Sequence, residues 1–273
     1  LRRAAGLAVL LAALAGRPPC HAQLPVPQPA RYLLSLEVAD ARAAWVNPAG
    51  LARRLEASIG AHLTTEFLAG STEVRQYGAT IGSRGIAFGW EHARIPGGGG
   101  ANTYVVGLGL GDPKLAIGAA RRWYRAGEAA SSWDVGLQAA VGYAIEVVVT
   151  GRDLGSPIVA GVRRDATVVP GAALLLLDGR LRVGAEWVAP TGHPEGGVIH
   201  AGATLTASRR LALALRADIE TDPQERTIIV ALEYRSRGAR ASAFGAFPDE
   251  GEALGLAALL TSSPEPSRRR GRR

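Results

Sequence analysis

Few residues in this sequence are of types that do chemistry, and they are poorly spaced for it. The five histidines are His21, His62, His92, His193 and His200. A metal site needs ligands that converge on one point, and none of these histidines has a carboxylate at ligand spacing. His193 and His200 are separated by Pro194 and Gly196 and do not fall on one strand face. Cys20 is the only cysteine, and it lies in an N-terminal apolar leader, so the rest of the chain has no thiol, disulfide or thiolate metal site. The run Pro96 to Gly100 is glycine-rich but lacks the Lys-Ser/Thr and the helix that a phosphate loop requires. No Ser-His pair suits hydrolysis. These residues point away from an enzyme and call for no metal and no cofactor.

The charge pattern excludes a second class. The formal net charge is +7. It comes from the ends: Arg2, Arg3 and Arg17 near the start, and five arginines between Ser267 and Arg273. The stretch between Gln23 and Pro266 is left at −1, with no basic face for nucleic acid. Residues 1–22 read as an export signal, with a basic start, an apolar run from Ala4 to Ala15 and Cys20-His21-Ala22 at the cleavage position. Residues 23–53 read as an N-terminal periplasmic segment, and residues 263–273 as a disordered basic tail.

The elements that must carry any site are strands. From Arg54 to Ser262 the apolar period is two. In Arg180 to Val188, Leu181, Val183, Ala185 and Trp187 oppose Arg182, Gly184 and Glu186, just after an Asp178-Gly179 turn. Leu211, Leu213 and Leu215 oppose Ala212, Ala214 and Arg216, and Val230, Leu232 and Tyr234 oppose Ala231, Glu233 and Arg235. Counting such runs predicts about 12–14 strands, most of about the 9–11 residues that a tilted strand needs to cross a bilayer. One face is bulky and apolar; the other is mostly Gly and Ala with a few charges. That polarity predicts a barrel whose bulky face meets lipid and whose small face lines a lumen, with Arg182, Glu186, Arg216, Glu233 and Arg235 inside. Loops are expected at Pro96–Ala101, Ala126–Ser131, Gly151–Asp165, Pro190–Gly196 and Glu220–Glu225.

One motif precedes the first strand: Asp40-Ala41-Arg42-Ala43-Ala44-Trp45-Val46-Asn47-Pro48-Ala49-Gly50-Leu51-Ala52. Asn47 can close a turn with its side chain, Pro48 fixes φ, and Gly50 permits close approach. The segment resembles the N-terminal signature of FadL-like outer-membrane transporters and, equally, of PorV-like barrels that serve secretion. Thr150 to Pro157 resembles a mid-barrel turn of the PorV-like proteins, with Asp153 in place of their Asn, and Phe247 to Gly251 resembles their closing hairpin. The chain departs from the pattern in having few aromatics, a short N-terminal region for a transporter, and no terminal aromatic.

The resulting expectation is an all-β, antiparallel transmembrane barrel in the outer membrane, filling residues 54–262 and carrying a short plug. Asp40, Trp45, Asn47, Pro48 and Gly50 are the plug residues. Asp40 and Arg42 are expected to pair with Arg182, Glu186 or Glu233. What the resemblance implies is passage of small hydrophobic compounds or support of secretion. The expected partners are outer-membrane lipid and, beyond it, hydrophobic small molecules or secretion-machinery proteins. The alternatives are a closed-lumen scaffold or anchor barrel, and a soluble periplasmic β-domain.

Overall fold

The computed structural model describes residues 29, 33–53, 56–68, 71–95, 99–126, 128–220, 226–236, 238–248 and 252–261. The expected export signal at residues 1–22, residues 221–225 of the expected Glu220–Glu225 loop and the expected basic tail at 263–273 lie outside them. In chain order the strands are β1 (Ser58–Leu68), β2 (Ser71–Ser83), β3 (Ile86–Arg94), β4 (Gly100–Gly111), β5 (Leu115–Ala126), β6 (Glu128–Val141), β7 (Ile145–Leu154), β8 (Ile158–Val159), β9 (Val162–Arg163), β10 (Thr167–Leu176), β11 (Leu181–Pro190), β12 (Val198–Thr206), β13 (Leu211–Glu220), β14 (Arg226–Ser236), β15 (Ala239–Pro248) and β16 (Glu252–Thr261). All but β8 and β9 join one closed antiparallel barrel, sealed where β1 pairs with β16 from Ser58↔Thr261 to Phe67↔Glu252. Closure satisfies every edge, which a sheet exposed to hydrocarbon requires. No helix among the described residues is long and apolar enough to cross a membrane.

Each wall strand coincides with a period-two run in the sequence. Val183, Trp187, Leu211, Leu213, Leu215, Val230, Leu232 and Tyr234 all face outward and are exposed, and Leu181 is half-buried on the same face. The outward residues meet in register across strands, as in Leu213↔Leu232 and Leu215↔Val230. This apolar belt makes a direct prediction. Leu215→Arg, at mid-strand, is expected to cost roughly 2–4 kcal/mol of barrel stability, whereas an arginine in an end turn costs little. Urea titration of the protein refolded into vesicles measures the difference; equal midpoints would remove the belt from its lipid-facing role.

The connections differ between the two rims. On the rim that holds the ends of β1 and β16, turns are tight. Arg84-Gly85 turns with both residues at positive φ, as a two-residue hairpin requires, and Leu177, Asp178 and Gly179 do the same. In the β4–β5 turn, the Asp112 carboxylate accepts the Lys114 and Leu115 N–H groups at 2.7 and 3.1 Å, which holds its pKa below the usual range. The opposite rim carries the longest connection, 155–166, whose short β8–β9 hairpin turns at Ala160-Gly161.

Of the expected loops, Ala126–Ser131 is strand instead, and Gly151–Asp165 is strand at its start. Ala126–Ser131 is almost wholly β5 and β6, joined at a single residue. Its small side chains hide the period, yet the backbone pairs from Ala126↔Glu128 onward. Gly151–Leu154 continues β7 through a bulge: Trp133 pairs with Leu154 and Val135 with Gly151, so Arg152 and Asp153 together oppose Asp134. Asp153 takes φ +51 there, the left-handed conformation that Asp tolerates better than most residues.

Candidate functional site

Residues 33–53 run through the lumen. Helix α1 (Ala43–Val46) and the 3-10 turn Pro48–Ala52 are buried throughout. Asn47 joins them. Its extended backbone ends α1, its side-chain oxygen accepts the Ala49 N–H at 3.1 Å, and Pro48 opens the next turn, where a missing N–H costs nothing. The Asn47 Nδ2 donates to Gln138 Oε1 at 3.3 Å and to the Ser35 carbonyl at 3.4 Å. A Cβ at Gly50 would strike the Val38 carbonyl oxygen and lie 3.0 Å from Ala43 Cβ, so the tight fold of the segment on itself needs glycine here.

The segment packs closely on β3–β6. That wall has been cleared of side chains where the backbone comes near. Gly109, Gly118 and Gly136 are direct register partners across β4, β5 and β6, and together they form a bare row. A Cβ on Gly118 would fall on the Pro48 carbonyl, and one on Gly136 on the Asn47 oxygen. A Cβ on Gly89 would sit 2.6 Å from the Trp45 indole nitrogen, and one on Gly107 2.9 Å from Leu51 Cδ1. Val38, Ala41, Ala43, Ala44, Trp45 and Leu51 complete an apolar cluster with Ala87, Val105 and Ala120 of the wall.

Charged wall residues hold the segment's backbone. Arg122 donates to the Trp45 carbonyl at 2.8 Å and lies 5.9 Å from the Trp45 ring. Arg152 donates to the Val46 carbonyl at 3.1 Å and to Ser35 Oγ at 2.8 Å. These are the orphan carbonyls at a helix C-terminus, where cations are favoured. Glu186 accepts the Ser35 N–H at 2.7 Å; Arg182 and Gln138 donate to the Leu36 carbonyl at 2.9 and 3.2 Å; Arg216 donates to the Leu33 carbonyl at 3.2 Å. Arg53 bonds Glu146, which also takes Arg182 at 2.9 Å. Arg122 is itself paired with Asp134 at 2.5 Å, both side chains nearly inaccessible.

The expected site residues are thus placed as follows. Trp45, Asn47, Pro48 and Gly50 are buried in the lumen. Arg182, Glu186 and Arg216 grip the segment's backbone. Glu233 faces a cavity of about 70 Å³ between the segment and β12–β15, which Glu37, Arg42, Thr204 and Arg240 also line. Arg235 lies on β14 opposite Arg240, and its side chain is not among those described. The expected partnership of Asp40 with Arg182 is corrected: Asp40 is bound by Arg42 at 2.8 Å, two residues away, and has Arg240 at 4.0 Å. Local geometry wins because the turn at Asp40 brings the guanidinium of Arg42 back onto its carboxylate. His62 lies 3.1 Å from Glu91 and His92 3.1 Å from Asn102; His200 stands between Glu186 at 3.2 Å and Asp218 at 3.9 Å, and His193 is 3.6 Å from Asp165. Among the described residues no group of three or more potential ligands could hold a metal.

The fold is that of outer-membrane β-barrels. A structure of the CymD monoaromatic hydrocarbon channel aligns with 87% of this chain and 96% of its own, at TM-score 0.59 and 12% identity. The Acinetobacter baumannii outer-membrane protein Omp33 aligns with 76% of this chain and 98% of its own, at TM-score 0.50 and 12% identity. At that identity the likeness concerns the fold alone. No protein-family model and no curated protein matches the sequence, so neither the FadL-like nor the PorV-like resemblance narrows to a family.

The opposite mouth is also partly filled. Val159 of the β8–β9 hairpin is buried, and the hairpin rests on β5 and β6. Asp153 Oδ1 accepts from Tyr124 at 2.5 Å and Ser132 at 3.1 Å, while its Oδ2 accepts from Arg164 at 3.1 Å. Arg152 grips the N-terminal segment, and Asp153 grips the outer loop. Both point inward because of the bulge. Sequence reading placed these two in a loop and passed over Arg122, Asp134, Gln138 and Glu146. The available signal was a charged or amide residue on the small face of a strand.

Proposed function

We propose that the protein is an outer-membrane channel for small compounds, hydrophobic ones first, in which residues 33–53 act as the plug. The observation that carries this reading is the asymmetric seat of the segment. On the β3–β6 side it lies directly on glycines and alanines. On the β12–β15 side it is held by long side chains across a small cavity, so a modest shift there would open a way past it. CymD is a monoaromatic hydrocarbon channel, and the barrel shares its overall form. The lipid-facing belt and the leader-like start of the sequence support an outer-membrane location.

Deleting Asp40 to Gly50 tests the reading. The shortened barrel is expected to insert normally and to show several-fold higher conductance in planar bilayers, with faster uptake of a small aromatic hydrocarbon by vesicles. The density of anchors on Arg122, Arg152, Arg182 and Arg216 favours a second reading, a permanently closed scaffold or secretion-associated barrel of PorV type. That reading holds if the deletion changes neither quantity.

A further inference from the structure

The outer wall carries a cation where the belt should be apolar. Arg121 alternates outward on β5 with Leu115, Ile117 and Ala119 below it and Trp123 above it. Its register neighbours are Val106 of β4 and Trp133 of β6, both exposed on the outer face. Its guanidinium carbon lies 5.4 Å from the ring centroids of both Trp123 and Trp133. Its Nε is buried without a hydrogen bond, and no acidic side chain pairs with it among the described residues. The neighbouring inward arginine, Arg122, is by contrast paired with Asp134.

The level of Arg121 on the wall gives this meaning. Trp90, Tyr104 and Trp123 are direct register partners across β3, β4 and β5, and Trp133 stands beside Arg121. This is a row of amphipathic rings at one height. Below it the outward residues are Ile86, Phe88, Val106, Leu108, Leu115 and Ile117, all exposed and apolar. Above it come His92, Asn102, Arg125 and Ala129, which share the next register level, while Ser131 stands level with Trp123. The row therefore marks the boundary between hydrocarbon and headgroups, where Trp and Tyr gather. A guanidinium set at that boundary, its stem covered by two indoles, is fixed in place and has N–H donors to satisfy. The available acceptors there are lipid headgroups.

We propose that Arg121, framed by Trp123 and Trp133, binds the phosphodiester headgroup of a membrane phospholipid, with the exposed Arg125, four residues further up β5, as a second cation. The planar fork of arginine suits phosphate oxygens, and the flanking indoles hold it against the apolar wall while the first acyl carbons run down over Val106 and Ile117. The inference rests on the barrel standing in a membrane, and it adds one defined lipid site to that reading.

The test uses the full chain purified in a mild detergent, with added dioleoylphosphatidylglycerol or dioleoylglycerol, followed by native mass spectrometry. The wild type is expected to retain one phosphatidylglycerol and no dioleoylglycerol, and millimolar inorganic phosphate is expected not to displace it. Arg121→Leu, which removes a charge from the lipid face and leaves folding intact, should lower retention about tenfold, the equivalent of one charge-assisted contact. Arg121→Lys should fall between the two. Equal retention by wild type and Arg121→Leu, no retained lipid in the wild type, or equal retention of dioleoylglycerol each overturns the site. Displacement by inorganic phosphate would make it a free-anion site and overturn the lipid assignment. A protein that stays soluble without detergent and does not enter vesicles fails the membrane reading itself, an outcome distinct from normal insertion with unselective lipid retention.

Discussion

A valine at Gly118 is expected to expel the plug from the lumen while leaving the barrel closed. The new Cβ would land on the Pro48 carbonyl and the Ala49 nitrogen, which are backbone atoms that cannot rotate aside. Gly118 itself sits in a strand, where a β-branched residue is welcome, so the wall tolerates the change. What is lost is the seat. Trp45 and Leu51 would leave an enclosed apolar cluster, each forfeiting about 1.5–3 kcal/mol of burial. Trypsin reads the result, because Arg42 and Arg53 are cleavable only when the segment leaves the lumen. Gly118→Val should be cut within the segment and conduct like the deletion protein. Ala119→Val, one residue along and facing outward, should be protected and unchanged. If both variants resist trypsin equally, the glycine row is not what holds the segment.

Asp134→Leu should produce the largest loss of stability of any single substitution in the wall. Arg122 and Asp134 lie 2.5 Å apart with side chains 3% and 1% accessible. Removing one partner of such a pair leaves a buried charge uncompensated, at a cost of about 3–5 kcal/mol. Asp134 also accepts the Asp153 N–H at 2.9 Å and so stabilises the bulge. Its loss should therefore loosen both mouths at once. The double variant Arg122→Met with Asp134→Leu removes the stranded charge and should recover most of the unfolding free energy in urea, while the Trp45 carbonyl still lacks its donor. A single variant as stable as wild type would show that water reaches the pair and that the lumen is wetter than its packing implies.

Much of this architecture is legible in the amino-acid sequence. Every wall strand announced itself by alternation, because a wall with lipid on one side leaves only one face free to vary. The β13 run Leu211 to Leu215 is the clearest case. Strand ends failed to show where small residues occupied both faces, as at Glu128 to Ser132 of β6, and where Asp153 of β7 broke the period by adopting the left-handed conformation. Asn47, Pro48 and Gly50 were legible as a turn because each has a local reason to be there. The seat beneath them was not. Gly109, Gly118 and Gly136 look like weak points in three separate strands, and only the stagger between strands aligns them. The pairing of Arg122 with Asp134 is hidden for the same reason, since register across a sheet is set by all the strands together and not by either neighbour alone.

The seam between β1 and β16 bears on how the molecule assembles. Ser58 and Thr261 lie at opposite ends of the barrel sequence yet are neighbours in the wall. Contacts of such separation carry the highest loop-closure cost and are expected late in folding. Only Arg53 to Ala57 separate the last residue of the 3-10 turn from the first residue of β1. The strand that completes the ring is thus tethered directly to the segment that fills it. Until β1 docks, the glycine row faces an open sheet and the segment can settle on it from the side. Once the seam forms, the only entries left are the two rims. The short link between Ala52 and Ser58 therefore keeps the segment beside the seam, on the strand whose pairing closes the wall.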